Sequence, residues 1–210
     1  MKILRPAVLL TAFFVLLTGL AFPGVIWAIG RVGFPDQAGG SLVRDARGQV
    51  VGSALLGQAF TQPGYFHPRP SAAGNGYDAA NSSGTNLGPT SDKLINGVKD
   101  DPATKDVDES FAGIGELARA YREENGLAPD AVLPSDAATH SASGLDPDIS
   151  PANAALQVAR VARARGLEAP RVAQLVVEHT RGRTLGLLGE PRVNVLELNL
   201  ALDALAPKGG

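Results

Sequence analysis

The sequence contains no cysteine. Disulfide-stapled folds, cysteine-ligated zinc or iron–sulfur sites and cysteine nucleophiles are therefore excluded together. Only five of the 210 residues are lysine and the formal net charge is -2, so we expect no nucleic-acid partner. Hydrophobic residues make up 44% of the chain, which is enough for a folded core and excludes disorder throughout.

The sequence also lacks the short motifs of common enzyme sites. It contains no G-x-S-x-G elbow, no H-E-x-x-H and no G-x-x-x-x-G-K-[ST] phosphate loop. The stretch G-I-G-E-L-A at 113–118 fits a degenerate dinucleotide pattern, but it lies inside a predicted amphipathic helix. The three histidines, at 67, 140 and 179, are widely spaced, which favours ordinary surface or hydrogen-bonded side chains. We therefore expect no catalytic residues, no metal ligands and no tightly bound cofactor.

One long apolar run lies near the N-terminus, and no residue from Pro6 to Gly30 is charged. A helix of about 20 residues crosses the ~30 Å hydrocarbon core of a bilayer, so residues 7–29 are predicted to form one transmembrane helix. Lys2 and Arg5 favour a cytoplasmic N-terminus at residues 1–6 and an extracytoplasmic domain over 30–210. The alternative is a signal peptide cleaved after Ala21; the apolar run continues past that residue, which favours an uncleaved anchor.

The remainder of the chain reads as an α+β domain. Beyond the anchor, the chain contains 17 basic and 21 acidic residues and is therefore net acidic. Short apolar segments at 41–44 and 49–56 flank Gly48 and predict a β-hairpin. Helices are predicted over 110–124, from 151 to the glycine at 166, over 170–182, and from the capping-box sequence N-V-L-E at 194–197 onward. Early strands followed by later helices indicate an α+β fold with a single domain.

Two polar segments have residue patterns that are too specific for ordinary connecting loops. The first comprises residues 65–72 and 81–89, within a loop-like stretch at 61–89 whose interspersed aromatic side chains indicate order. The second covers 141–151. One interpretation is architectural, with Arg69 against a carboxylate and with Gly84 and Gly144 at positive φ. The other is that rigid loops present their groups to a partner protein. The two interpretations are compatible.

Short motifs in these segments resemble one known family. They are G-S-A-L-L-G-Q-A-F at 52–60, Y-F-x-x-R-P-S-A at 65–72, N-L-G-P at 86–89, S-G-L-D-P at 143–147 and V-N-V-L-x-L-N at 193–199. With the N-terminal anchor, they resemble KdpC, the C subunit of bacterial high-affinity potassium-transporting P-type ATPases. The chain departs from the family pattern at Ser83, Thr85, His140 and Asp148.

The resemblance implies a non-catalytic subunit of a four-part inner-membrane complex. Its partners would be a potassium-translocating subunit, an ATP-hydrolysing P-type subunit and a very small membrane peptide. The C subunit would stabilise assembly and, as a catalytic chaperone, raise the ATP affinity of the hydrolysing subunit, with ATP entering only in a ternary complex. We assign partner-contact or architectural roles to a set of residues in the motifs, Arg69, Asn86, Gly144, Asp146, Pro147, Asn194 and Asn199.

Gln157 is the candidate nucleotide contact, because it lies inside the helix that starts at Ser150. Asp146 and Asp148 stand at the start of that helix and would repel phosphate. A domain outside the membrane is also separated from cytoplasmic ATP by about 30 Å of hydrocarbon. We therefore expect the isolated domain not to bind ATP tightly, and any effect on ATP affinity to be transmitted through the membrane subunits.

Two other classes remain as alternatives, a membrane-anchored periplasmic hydrolase and a periplasmic solute-binding module. The missing catalytic motifs disfavour the hydrolase. A single domain of about 180 residues disfavours the solute-binding module, because such proteins usually close two lobes around a cleft.

Overall fold

A computed structural model describes residues 3–45, 47–99 and 110–205. The chain divides into two compact units, Met1–Leu42 and Val43–Gly210. Mixed helix and sheet, with strands before the later helices, confirm the predicted α+β class.

The first unit is dominated by one apolar helix of 30 residues, Leu4–Gly33. It consists of α1 (Leu4–Leu16), a π-helical turn (Leu17–Ala21) and α2 (Phe22–Gly33), followed by the short α3 (Pro35–Ala38). The π turn sits just before Pro23, whose ring clashes with a regular helical turn and which has no N–H to donate. None of the helix's side chains is buried, and this is the one candidate membrane span among the described residues.

The chain next forms the predicted hairpin, whose strands are β1 (Leu42–Arg44) and β2 (Val50–Ser53). Asp45 shapes the turn, since one carboxylate oxygen accepts hydrogen bonds from the N–H groups of Arg47 and Gln49, both at 2.9 Å. Strand β2 ends three residues earlier than predicted. The Ser53 hydroxyl accepts a hydrogen bond from the Leu55 N–H at 3.1 Å and turns the chain away.

A long ordered segment separates the hairpin from the main helices. It contains a 3₁₀ turn (Ala79–Asn81) and α4 (Asp92–Asn96), which Ser91 caps by accepting from the Leu94 N–H. Helix α5 (Ile114–Asn125) starts four residues later than predicted, because Val98 and Phe111 form an isolated β-bridge just before it.

Two further helices pack against each other. Helix α6 (Pro151–Arg165) has the predicted bounds, since the Ser150 hydroxyl accepts from the Asn153 N–H and Gly166 ends the helix at φ 63°. Helix α7 (Ala169–Glu178) ends four residues before the predicted position, because the chain there enters a strand.

A small antiparallel sheet and a last helix complete the domain. The strands are β3 (Asp148–Ile149), β4 (Thr180–Arg181) and β5 (Arg192–Asn194), with β5 in the centre. Val193 lies opposite both Ile149 and Thr180. Helix α8 (Val195–Leu205) follows β5 directly, and the Asn194 side chain caps it by accepting from the Glu197 N–H at 3.1 Å.

The core is formed by α6, α7, α8 and the central strand. Among the residues that the structure describes, thirteen hydrophobic side chains are buried in it, including Phe66 from the long loop. Phe66 is fully buried and belongs to the Y-F-x-x-R-P motif, so the core continues into this motif segment.

Candidate functional site

A row of polar side chains lies inside the core along α6. Asn153, Gln157 and Arg160 are all buried, at spacings of four and three residues that put them on one helix face. Buried polar groups are stable only when they are hydrogen-bonded. Gln157 and Arg160 bond to backbone groups of residues 63–67, which we call the clasped loop. Asn153 bonds instead to the side chains of Gln157 and Asp136.

Gln157 holds the clasped loop through the backbone of His67. Its Oε1 accepts from the His67 N–H at 2.7 Å, and its Nε2 donates to the His67 carbonyl at 3.0 Å. Oε1 also accepts from Arg160 Nη2 at 2.7 Å, and Nε2 donates to Asn153 Oδ1 at 2.9 Å. A carboxamide offers two donors and two acceptor lone pairs, so every position is used in this conformation. The nucleotide role of Gln157 stays a prediction, and it requires the clasped loop to open.

Asn199 of α8 makes the same kind of contact one residue earlier. Its Oδ1 accepts from the Phe66 N–H at 2.8 Å and its Nδ2 donates to the Phe66 carbonyl at 3.0 Å. Two consecutive residues are thus each held by a carboxamide, one from α8 and one from α6. This pairing satisfies buried backbone groups in a segment that belongs to no sheet.

Arg160 fixes the start of the clasped loop. One guanidinium nitrogen donates to the carbonyls of Pro63 and Tyr65, at 2.7 and 2.9 Å, and Nε donates to Asn125 Oδ1 at 2.9 Å. Burial lowers the pKa of Arg160 from its usual value. The carbonyl and carboxamide oxygens around it supply the acceptors that a buried cation needs.

His67 also contacts α5 through its side chain. Its Nδ1 lies 2.7 Å from Glu124 Oε1, and its Nε2 lies 3.0 Å from the Gln62 carbonyl. The hydrogen bond from His67 holds the pKa of Glu124 below its usual value. Sequence reasoning found no carboxylate partner for this histidine, because the two residues are far apart along the chain.

A second cluster joins the other two motif segments. Arg69 Nη1 donates to Asp146 Oδ2 at 2.9 Å, and Asp146 Oδ1 accepts from the Asp148 N–H at 3.0 Å. The next residue, Pro147, accepts from the Val195 N–H at 2.9 Å and so ties this loop to the start of α8. The carboxylate found here is the partner expected for Arg69.

Two glycines let these segments approach each other. Gly144 has φ 68°, and a Cβ on it would lie 2.6 Å from Ala73 Cβ and from the Ser83 carbonyl oxygen. Its own carbonyl accepts from the Ser71 hydroxyl at 2.6 Å. The prediction of positive φ at Gly84 was wrong, since its φ is not positive. Glycine is needed there for space, because a Cβ would lie 2.5 Å from the Ala142 carbonyl oxygen.

The remaining predicted residues fall at different places. Asn194 caps α8 and donates from Nδ2 to the Ala54 carbonyl at 2.9 Å, which links α8 to the end of the hairpin. Asn86 lies outside both clusters, exposed and at φ 54°. Asparagine tolerates this left-handed conformation better than most residues. The backbone conformation alone therefore explains why asparagine occupies position 86, without any contact to a partner.

Sequence reasoning missed several members of the network. Asn153 could have been found from its spacing with Gln157 and Arg160, which places three polar residues on the inner face of one helix. Asp136 gave no local signal: its carboxylate accepts from the Ser150 N–H at 2.7 Å and from Asn153 Nδ2 at 3.1 Å. It lies 14 residues before the helix start that it stabilises.

The described residues hold no group of three or more histidine, aspartate or glutamate side chains that could bind a metal ion. Three exposed leucines lie together at the tip between β4 and β5. There Leu185, Leu187 and Leu188 are 87%, 79% and 63% exposed. An ion pair at 2.7 Å between Arg183 and Glu190 closes the base of this tip.

The structure thus defines a class of protein, in which one candidate membrane-spanning helix precedes a small α+β domain whose loops are fixed by buried polar side chains. Comparison with known families narrows the class. Residues 4–204 match the family described as KdpC, the c chain of the K⁺-transporting ATPase. The chain belongs to this family, as its motifs predicted.

Curated relatives agree over nearly the full length. The chain is 49% identical over 207 residues to the potassium-transporting ATPase KdpC subunit of Caulobacter sp. strain K31, covering 99% of this chain and 96% of that protein. It is 50% identical over 206 residues to the same subunit of Koribacter versatilis, covering 98% and 96%. For Mycobacterium bovis BCG the identity is 49% over 202 residues, covering 96% and 98%.

Proposed function

We propose that the chain is a non-catalytic accessory subunit of an ATP-driven potassium uptake complex in the inner membrane. The observation that carries this proposal is the family match, which spans the anchor and the domain alike. The proposed partners are the potassium-translocating subunit, the ATP-hydrolysing P-type subunit and the small membrane peptide. Affinity purification of the tagged full chain from native membranes tests it. Recovery without a P-type ATPase subunit would contradict the proposal.

The domain is proposed to lie outside the cytoplasm and residues 1–6 inside. Lys2 and Arg5 support this orientation by the positive-inside rule. Because the chain has no cysteine, single-cysteine variants report topology without background labelling. A membrane-impermeant maleimide should label Val132→Cys in intact cells and Ile3→Cys only after lysis, since both positions are highly exposed. The reverse pattern would invert the topology.

The two clusters are proposed to keep the domain rigid so that it presents fixed surfaces to its partners. In this scheme Arg69, Asp146, Gly144, Pro147, Asn194 and Asn199 act through architecture. Their main role is to hold loops, since each takes part in the contacts described above. Asn86 is the candidate for direct partner contact, because it is exposed. Asn86→Asp keeps the size of the side chain and should weaken assembly without lowering domain stability.

The effect on ATP is proposed to be indirect. A domain on the far side of the bilayer can raise the ATP affinity of the hydrolysing subunit only through coupling across the membrane subunits. Coupling free energies of about 1–3 kcal/mol correspond to roughly 5- to 150-fold in affinity. The test compares the KM for ATP of complexes purified with and without this chain. An unchanged KM in a complex that still hydrolyses ATP would refute the coupling.

A further inference from the structure

The π turn in the anchor leaves the backbone carbonyl of Thr18 without its usual hydrogen-bond donors. In a regular helix the carbonyl of Thr18 accepts from the N–H of residue 22, and in a π turn from that of residue 23. The N–H of Phe22 donates instead to the Leu17 carbonyl, and Pro23 has no N–H. Neither of the two donors that the helix could offer therefore reaches the Thr18 carbonyl.

This carbonyl lies at the middle of the apolar helix. Thr18 is close to equidistant from the ends of Leu4–Gly33, so a helix that spans the bilayer places it far from water. A polar backbone group without a partner is strongly disfavoured in hydrocarbon. The Thr18 hydroxyl does not relieve the carbonyl, because it donates to the Phe14 carbonyl at 2.7 Å.

Small residues lie near the Thr18 carbonyl on the helix surface. The side chains over a helical carbonyl come from the turn after it, which here contains the small Ala21 and the larger Phe22. Gly19 adds no side chain, and a Cβ on it would meet nothing within 4 Å. Small residues of this kind let a neighbouring transmembrane helix approach closely.

We infer that the Thr18 carbonyl accepts a hydrogen bond from a polar side chain, such as serine, threonine, asparagine or glutamine, on a transmembrane helix of a partner subunit. The inference rests on the proposed function, since the partner helix belongs to the transport complex. It adds a polar contact within the bilayer to whatever surface the domain provides. A second copy of this chain in that position is an outcome that the test distinguishes.

The first experiment removes the need for the partner. Pro23→Ala restores an N–H at residue 23 and allows a regular helix, so Phe22 can donate to the Thr18 carbonyl. Retention of the full chain in the detergent-purified complex should fall about 3- to 30-fold, the range expected for one interhelical hydrogen bond. Pro6→Ala is the matched control, because Pro6 lies in the first turn, where the N–H has no helical acceptor. Equal retention of the two variants would overturn the inference.

The second experiment identifies the neighbour. A diazirine amino acid replaces Ala21 in the full chain, and cross-linked peptides from native membranes are sequenced by mass spectrometry. The expected cross-link joins a partner helix within one turn of a side-chain donor. A cross-link to a helix without such a donor, to a second copy of this chain or to lipid alone would overturn the inference. Failure to recover any complex with the unmodified chain would instead refute the proposed function.

Discussion

Gln157→Ala separates an architectural role of this glutamine from a nucleotide contact. The substitution removes four hydrogen bonds of a fully buried side chain, and two of them satisfy the N–H and the carbonyl of the half-buried His67. A main-chain group left without a partner costs about 1–3 kcal/mol when it is buried and less when water reaches it, so the unfolding free energy of the domain should fall by an amount toward the lower end of roughly 2–6 kcal/mol. That is a large part of the ~5–15 kcal/mol that typically stabilises a domain.

The assay is guanidinium unfolding of the full chain in detergent micelles, followed by circular dichroism at 222 nm. The anchor stays helical in the micelle, so the transition reports the domain. Gln174→Ala is the matched control: Gln174 lies on α7, is exposed, and its side chain donates one hydrogen bond, to Glu178. Its loss should change stability by less than about 0.5 kcal/mol.

An unfolding free energy for Gln157→Ala within about 0.5 kcal/mol of the unsubstituted chain would refute this reasoning. If that stable variant also abolished the effect on ATP affinity, Gln157 would be a direct nucleotide contact. A low-micromolar dissociation constant for magnesium-ATP with the unsubstituted chain, lost in the variant, would lead to the same conclusion. Loss of ATP binding together with loss of stability would not, because unfolding alone explains both.

Four further outcomes are expected. Asp146→Asn keeps the acceptor for the Asp148 N–H but removes the charge opposite Arg69, so potassium uptake in cells should fall only in part; complete loss in a fully assembled complex would give the carboxylate a direct role. Glu124, whose pKa the hydrogen bond from His67 lowers in the folded state, stabilises the domain above its unfolded pKa of about 4.5 and loses this contribution as the pH falls through the lowered pKa. The acid-induced loss of stability should therefore be smaller in His67→Ala, as measured by unfolding between about pH 3 and 6. Leu187→Ser should leave the melting temperature unchanged because the side chain is 79% exposed, and a clear decrease would show that the tip packs on the domain. Intact-mass measurement of membrane-extracted protein should show no loss of the first 21 residues, whereas a mass that lacks them would establish cleavage after Ala21 and remove the anchor.

Local signals predicted the elements that local contacts determine. The start of α6 at Ser150 and its end at Gly166 follow from a hydroxyl cap and a left-handed glycine, and both are legible in the sequence. The start of α5 was missed because a bridge between Val98 and Phe111, 13 residues apart, holds the preceding segment extended. This boundary error therefore arises from a contact distant along the chain that overrides a local preference, whereas the early end of β2 comes from the local turn at Ser53.

The candidate site shows the same division more strongly. The motif residues could be selected from the sequence, but their partners could not. Gln157 bonds to a residue 90 positions earlier, and Asn199 to one 133 positions earlier. No periodicity or spacing encodes such pairs. The one available sign was the row of inward-facing polar side chains on α6, because such buried groups need hydrogen-bond partners and a loop can supply them.

The double carboxamide contact at Phe66 and His67 has a consequence for dynamics. A loop held only by its ends would sample many conformations, and ordering it on binding would reduce the binding free energy of a partner. Here two helices take the place of neighbouring strands, so the amide protons of these residues should exchange with solvent only when the domain opens cooperatively. The loop thus belongs to the same cooperative folding unit as the core. A displacement of the loop would break its hydrogen bonds to α6 and α8, so we expect the loop and these two helices to move together.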